Sequence, residues 1–216
     1  LDQAGVADNT LLLVTSDNGS FMKRLPEKAS VADHVDDETI QAYAPGNHRA
    51  NGVFRGTKAD IYEAGHRVPF FARWPGKINS GVKNSSVVCL TDILATVCEA
   101  VDVAVDSSHS EDSFSFLLSA LALPDRVYHR ERAVIHHSAA GIFSVREGSW
   151  KLILGNGSGG RELPKGKPFQ RPFQLYNLSS DPGEQRDQLK ANPDKARQLE
   201  QELAFILGSD QIPDFN

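Results

Sequence analysis

Asp17 and Asn18 are the first residues whose types and spacing suit a chemical role, because they follow the apolar run Leu11–Val14 at a sharp turn. A short, unbroken apolar run is typical of a strand covered on both faces in a parallel sheet. In open α/β sheets, ligands bind beyond the carboxyl ends of the strands, so both side chains should face a binding site. A carboxylate beside an amide oxygen supplies two hard ligands that suit Ca²⁺ or Mg²⁺. The alternative is an ordinary Asx turn, since Asp-Asn-Gly sequences mark turns in many unrelated proteins.

His48 and His66 form the second group of candidate residues. Imidazole titrates near neutral pH, so either side chain could contact a substrate or protonate a leaving group. The alternative for each is a loop histidine hydrogen-bonded to the backbone, and the residues alone leave both possibilities open. For the remaining histidines we favour the structural role; they are His34, His109, His129, His136 and His137.

The composition limits the classes of protein to consider. The 216 residues suffice for one large domain or for one domain with a small appendage. Apolar residues make up 40% and charged residues 24%, which is typical of soluble globular proteins, and no apolar run approaches the length of a membrane span. The net charge of -5 argues against nucleic acid as the main partner. Cys89 and Cys98 lie in apolar surroundings, which predicts buried free thiols.

Hydrophobic periodicity in the first half of the chain predicts alternating strands and helices. A strand should precede Asp17, a long polar loop should occupy residues 20–55, and a second strand should lie within Val68–Trp74. Thr91 should cap a helix that continues to about Ala100. The predicted apolar face of this helix consists of Leu90, Ile93, Leu94, Val97 and Val101.

After a polar connector at residues 107–113, the pattern changes to one typical of antiparallel strands. The predicted strands cover 132–136, 142–146, 149–154 and 173–178. The middle two should form a hairpin that turns at Glu147-Gly148, and the glycine-rich segment 155–160 is predicted to be a flexible loop. A final helix should begin at Asn192 and Pro193 and bury an apolar stripe of Ala196, Leu199, Leu203, Ile206 and Leu207.

Two motifs carry a resemblance to a known family. The first is Ser16-Asp-Asn-Gly19, and the second is a signature that reads approximately Gly-x-Lys-x-x-x-x-Glu-Gly-Gly-x-Arg-x-Pro. The chain departs from this signature at Ala64 and matches it at Gly56, Lys58, Glu63, Gly65, Arg67 and Pro69. The chain thus resembles the type I, formylglycine-dependent sulfatases of the arylsulfatase family and alkaline phosphatase superfamily. Later segments that share the resemblance are 112–117, 136–138, 148–153, 175–178 and 181–184.

The resemblance implies an α/β, alkaline phosphatase-like sulfatase fold. Residues 1–106 should form the C-terminal portion of the catalytic domain, with part of the main mixed or parallel sheet and its flanking helices. Residues 107–216 should form a small C-terminal antiparallel β subdomain with a packing helix. The family gives no single compartment, because its members are usually periplasmic, secreted or lysosomal.

The resemblance also implies roles for individual residues. Asp17 and Asn18 would be two ligands of a calcium ion (Ca²⁺), and Lys58 would bind a sulfate oxygen of an aryl or carbohydrate sulfate ester. His48 and His66 flank the signature, so the possible roles of either in substrate contact or in catalysis stay open beside the structural one. Glu63 and Arg67 should pair with each other and hold the loop.

The formylglycine motif of the family, Cys-x-Pro/Ala-x-Arg, does not occur in the sequence; Cys89 and Cys98 stand in other contexts. The paired aspartates of the family's first strand, which supply its other calcium ligands, and its upstream Lys-x-His element are also absent. The resemblance therefore implies the C-terminal part of a sulfatase, which requires the N-terminal part of the same protein and is inactive alone. Two alternatives remain: a phosphoesterase or phosphonate hydrolase of the same superfamily, and a non-catalytic binding module derived from a truncated sulfatase.

Overall fold

The computed structural model describes residues 1–20, 23–24, 42–43, 50–106, 108, 110–117 and 132–208. Contacts divide the chain into two compact units. The first unit is Leu1–Ser16 with Pro69–Val134, and the second is Asp17–Val68 with Ile135–Asn216. The predicted boundary between residues 1–106 and 107–216 stays a prediction. Every helix in the described part of the chain is too short or too polar to traverse a lipid bilayer.

The first unit contains an antiparallel pair of strands, β1 (Leu12–Thr15) and β4 (Phe70–Arg73), in which Leu12 pairs with Arg73 and Thr15 with Phe70. A 3-10 turn at Ala7–Asn9 precedes β1. Both strands occur where they were predicted, but the parallel pairing and the two-sided burial expected for β1 are wrong. Val14 is 51% exposed, because β4 is the only strand among the described residues that pairs with β1.

The helix α2 (Asp92–Ala100) of the first unit lies where it was predicted, but its cap and its buried face differ. The Asp92 carboxylate accepts the backbone N–H of Cys89 at 2.8 Å and of Phe114 at 3.0 Å, whereas the Thr91 side chain makes no cap bond. The backbone N–H groups of Phe114 and Phe116 are bonded to Asp92 and Thr96 of α2, so the predicted apolar face is not the one that this segment covers. The exposed members of the predicted face are Leu94, Val97 and Val101. Both cysteines are free, as predicted, but only half-buried.

The second unit is built on a four-stranded sheet in the order β5-β6-β7-β8. The strands are β5 (Val134–His137), β6 (Phe143–Glu147), β7 (Trp150–Ile153) and β8 (Gln174–Asn177). The predicted hairpin is confirmed: β6 and β7 pair antiparallel around Gly148, whose φ is +56°. One cluster of buried residues in this unit consists of Ile61, Tyr62, Ile142, Ile153, Tyr176 and Leu178.

The helix α3 (Pro193–Ile206) packs against β6 and β7. Its predicted stripe is confirmed at Ala196, Leu199 and Leu203, which are buried. Asn192 occupies the N-cap position without a capping bond, because its side-chain amide donates to Gln188 O at 3.4 Å instead.

Two short strands lie within the segment predicted to be a polar loop. They are β2 (Lys23–Arg24) and β3 (Ala42–Tyr43), which pair in parallel. Within the range 20–55, only residues 20, 23–24, 42–43 and 50–55 are described, and the rest of this prediction lies outside them.

The glycine-rich segment 155–160, which we call the glycine loop, is not the flexible loop that was predicted. Gly155, Gly157 and Gly159 are buried. A Cβ added at Gly157 would lie 2.3 Å from Pro164 O, and one added at Gly160 would lie 2.4 Å from a carboxylate oxygen of Asp60. These glycines therefore allow close approach between backbone segments rather than freedom of movement.

Candidate functional site

The segment that carries Asp17 and Asn18 lies directly against the turn that carries Lys58. Gly19 N–H donates to Gly65 O at 2.9 Å, and Lys58 N–H donates to Ser20 O at 2.8 Å. The Thr57 hydroxyl also donates to Ser20 O. No side chain fits at Gly19, where an added Cβ would lie 1.7 Å from Ala64 O. Two motifs that are far apart in sequence thus share one backbone interface.

Lys58 occupies a tight turn in which Asp60 N–H donates to Thr57 O at 3.0 Å. Lys58 and Ala59 are the central residues, and Ala59 has a φ of +83°. A positive φ at the third position is the mark of a type II turn, in which glycine is the residue with least strain. The Lys58 side chain is exposed at this turn, as is Asp17, whereas Asn18 is half-buried.

We expect Ala59→Gly to raise the free energy of unfolding by about 0.5–1 kcal/mol, because relief of the left-handed strain exceeds the backbone entropy that glycine loses. Urea unfolding of the chain would measure this. Ala139→Gly is the matched control, because Ala139 has no positive φ. This variant should lower the free energy of unfolding by roughly 0.5–1 kcal/mol, since glycine only adds backbone entropy to the unfolded chain. Equal losses in both variants would contradict strain at Ala59.

Glu63 begins the short helix α1 (Glu63–His66) and is completely buried. One of its oxygens lies 3.0 Å from Arg67 Nη1 and 3.1 Å from Arg146 Nη1. The other lies 3.2 Å from Lys151 Nζ and 3.3 Å from His66 Nε2. Burial would raise the pKa of Glu63, but Lys151 and its other partners outweigh burial and hold this pKa well below its usual range. The predicted pairing of Glu63 with Arg67 is confirmed.

Lys151 connects Glu63 to a second buried carboxylate, Glu184. Lys151 Nζ lies 2.8 Å from Glu184 Oε1, and both side chains are fully buried. The other oxygen of Glu184 accepts the backbone N–H of Glu63 at 2.7 Å. Burial raises the pKa of Glu184, against the opposing charge of Lys151. No local pattern predicted a role for Lys151 or Glu184, although a lysine between Trp150 and Leu152 in a strand is a signal of a buried charge.

The His66 ring makes several protein contacts, although 29% of its side chain is exposed. Its Nε2 faces Glu63, and its Nδ1 is buried without a hydrogen-bond partner among the described residues. Its ring centroid lies 3.8 Å from that of His136. Burial, followed by the charge of Lys151, lowers the pKa of His66 to about 4, so the ring is neutral at pH 7. The predicted catalytic role of His66 stays a prediction, and these contacts favour a packing role.

The other predicted histidines divide between described and undescribed positions. His136 lies on β5 with both ring nitrogens buried, which agrees with the structural role predicted for it. His137 also lies on β5, and its Nδ1 is 2.8 Å from Ser138 O. The predictions for the remaining ones lie outside the described residues; these are His34, His48, His109 and His129.

The departure of the signature at Ala64 has a structural explanation. Ala64 is buried within α1 and has no positive φ, so a side chain is compatible with its backbone conformation. Gly65 is different, because an added Cβ would lie 2.0 Å from Asp60 O. Only the second of the two small residues must therefore be glycine.

Asp17 and Asn18 are the donors in this site that fit the chemistry of calcium. A carboxylate and an amide oxygen are both hard ligands, but Ca²⁺ takes about 6–8 oxygens. Among the described residues, no group of three or more His, Cys, Asp or Glu side chains is arranged to hold a metal ion. The donor set therefore fits part of a calcium site and not a whole one.

Comparison with known proteins finds relatives for most of the chain. Residues 1–103 match the family model described as sulfatase. An N-acetylgalactosamine-6-O-sulfatase from Bacteroides thetaiotaomicron is 28% identical over 208 residues, which cover 95% of this chain and 38% of that protein. An arylsulfatase from Hemicentrotus pulcherrimus is 23% identical over 85% of this chain and 33% of that protein. The chain thus spans well under half the length of either relative.

Solved structures match over a similar range. One from Bacteroides thetaiotaomicron, described under the metabolism of multiple glycosaminoglycans, has a TM-score of 0.73 and 27% identity, covering 95% of this chain and 40% of that chain. The PsFucS1 sulfatase from Pseudoalteromonas has a TM-score of 0.71 and 23% identity, covering 100% of this chain and 40% of that chain. These matches confirm the fold class predicted from the sequence.

Proposed function

We propose that this chain, whose residues 1–103 match the sulfatase family model, contributes Lys58, Asp17 and Asn18 to the active site of an enzyme that hydrolyses sulfate esters. Lys58 would bind a sulfate oxygen, and Asp17 and Asn18 would be two of the ligands of a calcium ion. The observation that carries this proposal is the bond from Lys58 N–H to Ser20 O at 2.8 Å, which joins the two motifs.

The chemistry of sulfate esters suits these residues. Cleavage places negative charge on the leaving oxygen and on the sulfate oxygens, and nearby positive charge stabilises it. The Lys58 ammonium group is exposed at the tip of its turn, where a substrate can reach it. Calcium, when bound, would supply a second positive charge for the same oxygens.

We propose that the nucleophile and the remaining calcium ligands come from the N-terminal part of the same protein. Two observations support this: the sequence contains no Cys-x-Pro/Ala-x-Arg motif, and the chain spans 38% of a related N-acetylgalactosamine-6-O-sulfatase. The isolated chain should therefore be inactive toward sulfate esters and should bind Ca²⁺ weakly.

For the substrate we propose a sulfated carbohydrate. The relative with 95% coverage of this chain acts, by its name, on N-acetylgalactosamine 6-O-sulfate groups. A matched structure is described under glycosaminoglycan metabolism. Aryl sulfates would then serve as convenient assay substrates.

The test is Lys58→Ala in the complete enzyme that contains this chain. We expect kcat/KM for 4-nitrophenyl sulfate to fall roughly 100-fold or more, because a charged group that stabilises the transition state is lost. Lys77→Ala, which removes another exposed lysine, is the matched control and should leave kcat/KM unchanged. The isolated chain should show no turnover.

Three outcomes would overturn the proposal. Undiminished activity of Lys58→Ala would remove the sulfate-binding role. Preferential hydrolysis of a phosphate ester by the complete enzyme would indicate a phosphoesterase of the same superfamily. Binding of a sulfated sugar without any turnover would indicate a non-catalytic module.

A further inference from the structure

We infer that Asp60 is a positioning residue that holds the Lys58 turn in place through its buried carboxylate. The structural part of this inference stands on the contacts of Asp60 alone. Its consequence for catalysis rests on the proposed role of Lys58.

The Asp60 carboxylate joins the turn to a distant segment of the chain. One oxygen accepts the backbone N–H of Thr57 at 2.9 Å. The other accepts the backbone N–H of Arg161 at 2.5 Å and of Glu162 at 3.0 Å. Asp60 is only 4% exposed, so these three bonds are made away from water, where hydrogen bonds to a charged group are strong.

The residues on either side of Asp60 are fixed by the same neighbours. Ala59 O accepts the backbone N–H of Ala139 at 3.0 Å, and Ile61 N–H donates to Ser158 O at 2.8 Å in the glycine loop. Gly160 lies so close that an added Cβ would be 2.5 Å from Ala59 O. The turn is therefore clamped between Ser20 on one side and the glycine loop with its flanking residues on the other.

This clamp has a direct consequence for Lys58. A lysine ammonium group is a point charge on a flexible stem, so the protein positions it mainly by fixing the backbone beneath it. Lys58 is two residues from Asp60 in the same turn, and its N–H is bonded to the segment that carries Asp17 and Asn18. Loss of the Asp60 carboxylate should let the turn shift relative to that segment.

The test uses Asp60→Asn, which places an amide N–H donor where one carboxylate oxygen accepted hydrogen bonds. Asp60→Ser, which keeps one acceptor on a shorter side chain, is the second variant. Asp92→Asn is the matched control, because the Asp92 carboxylate is also buried and also accepts backbone N–H groups from a local residue, Cys89, and a distant one, Phe114.

The first readout is amide hydrogen exchange in the chain itself, which does not depend on any activity. We expect Asp60→Asn to speed exchange of the Lys58, Arg161 and Glu162 amides roughly 10-fold or more. The Arg161 and Glu162 amides lose a carboxylate acceptor, and the Lys58 N–H, which is bonded to Ser20 O, opens when the turn shifts. Asp92→Asn should leave these three amides unchanged. Unchanged exchange in both Asp60 variants, with the fold verified by circular dichroism, would overturn the inference.

The second readout is turnover by the complete enzyme. Asp60→Asn should lower kcat/KM roughly 10- to 100-fold, since a displacement of about 1 Å in a substrate-binding group costs this much. If Lys58→Ala abolishes activity while both Asp60 variants match Asp92→Asn, the positioning role is wrong and the proposed function stands. If Asp60→Asn loosens the Lys58 amide while Lys58→Ala keeps full activity, the clamp stands and the proposed function is wrong.

Discussion

Lys151→Met is expected to lower the free energy of unfolding by about 3–5 kcal/mol, because removal of one partner strands a buried charge. Lys151 and both of its carboxylate partners, Glu63 and Glu184, are fully buried. Glu63 keeps Arg67 and Arg146 as partners after the substitution. Glu184 has no other ion-pair partner among the described residues, so it carries most of the loss.

Urea unfolding at pH 7 would measure this loss. Lys195→Met is the matched control, because Lys195 pairs with Glu147 at the surface and such pairs contribute about 1 kcal/mol or less. Addition of Glu184→Gln to Lys151→Met should restore part of the stability, since it removes the stranded carboxylate. A loss below about 1 kcal/mol in Lys151→Met would mean that the ion network contributes no more than a surface pair.

The second expected result is a loss of stability as the pH falls from about 6.5 to about 4. The pKa of His66 is lowered to about 4 in the folded protein, first by burial and then by the charge of Lys151, from an ordinary value of 6.5. Between these two values the unfolded chain binds the proton and the folded chain does not. Acid therefore favours unfolding. A pKa lowered from 6.5 to about 4 corresponds to a total loss of about 3 kcal/mol in the free energy of unfolding.

The groups around His66 determine how this prediction is measured. Burial also lowers the pKa of His136, which adds to the acid sensitivity, whereas the raised pKa of Glu184 opposes it. The quantity to compare is therefore the difference between the wild type and His66→Gln at pH 7 and at pH 4. We expect this difference to change by about 2–3 kcal/mol. Parallel pH profiles for the wild type and His66→Gln would contradict the lowered pKa of His66.

Local patterns predicted the elements whose conformation depends on neighbouring residues. The stripe at Ala196, Leu199 and Leu203 repeats with the period of a helix and is buried on α3. The hairpin of β6 and β7 turns at Gly148, where glycine tolerates the positive φ. The signature around Lys58 and the Asp17-Asn18 pair indicated the sulfatase family, because these motifs lie within short, contiguous stretches of sequence.

Patterns failed where the environment of an element depends on distant segments. The periodicity of α2 is correct for a helix, yet its apolar residues Leu94, Val97 and Val101 are exposed. The helix is instead bonded through Asp92 to Phe114, a contact that no local pattern specifies. The apolar run that forms β1 is likewise typical of a buried strand, yet Val14 is exposed. The burial of β1 depends on the strands that pair with it, and its partner β4 lies more than 50 residues further along the chain, so the run itself does not specify it.

The residue types of the candidate site were thus readable from the sequence, whereas their supports were decided by tertiary contacts. In the sequence Asp60 resembles any turn aspartate, and only the structure shows that its carboxylate accepts the backbone N–H groups of Arg161 and Glu162. The composition of the glycine loop predicts flexibility, but in the structure the turn at Ala59 and Asp60 packs onto Gly160. The sequence places Lys151 in a strand, but only the structure shows its buried ion pairs with Glu63 and Glu184. The physical reason is common to all three: burial and close approach depend on segments that are distant in sequence, and a residue's type does not specify which segments will meet it.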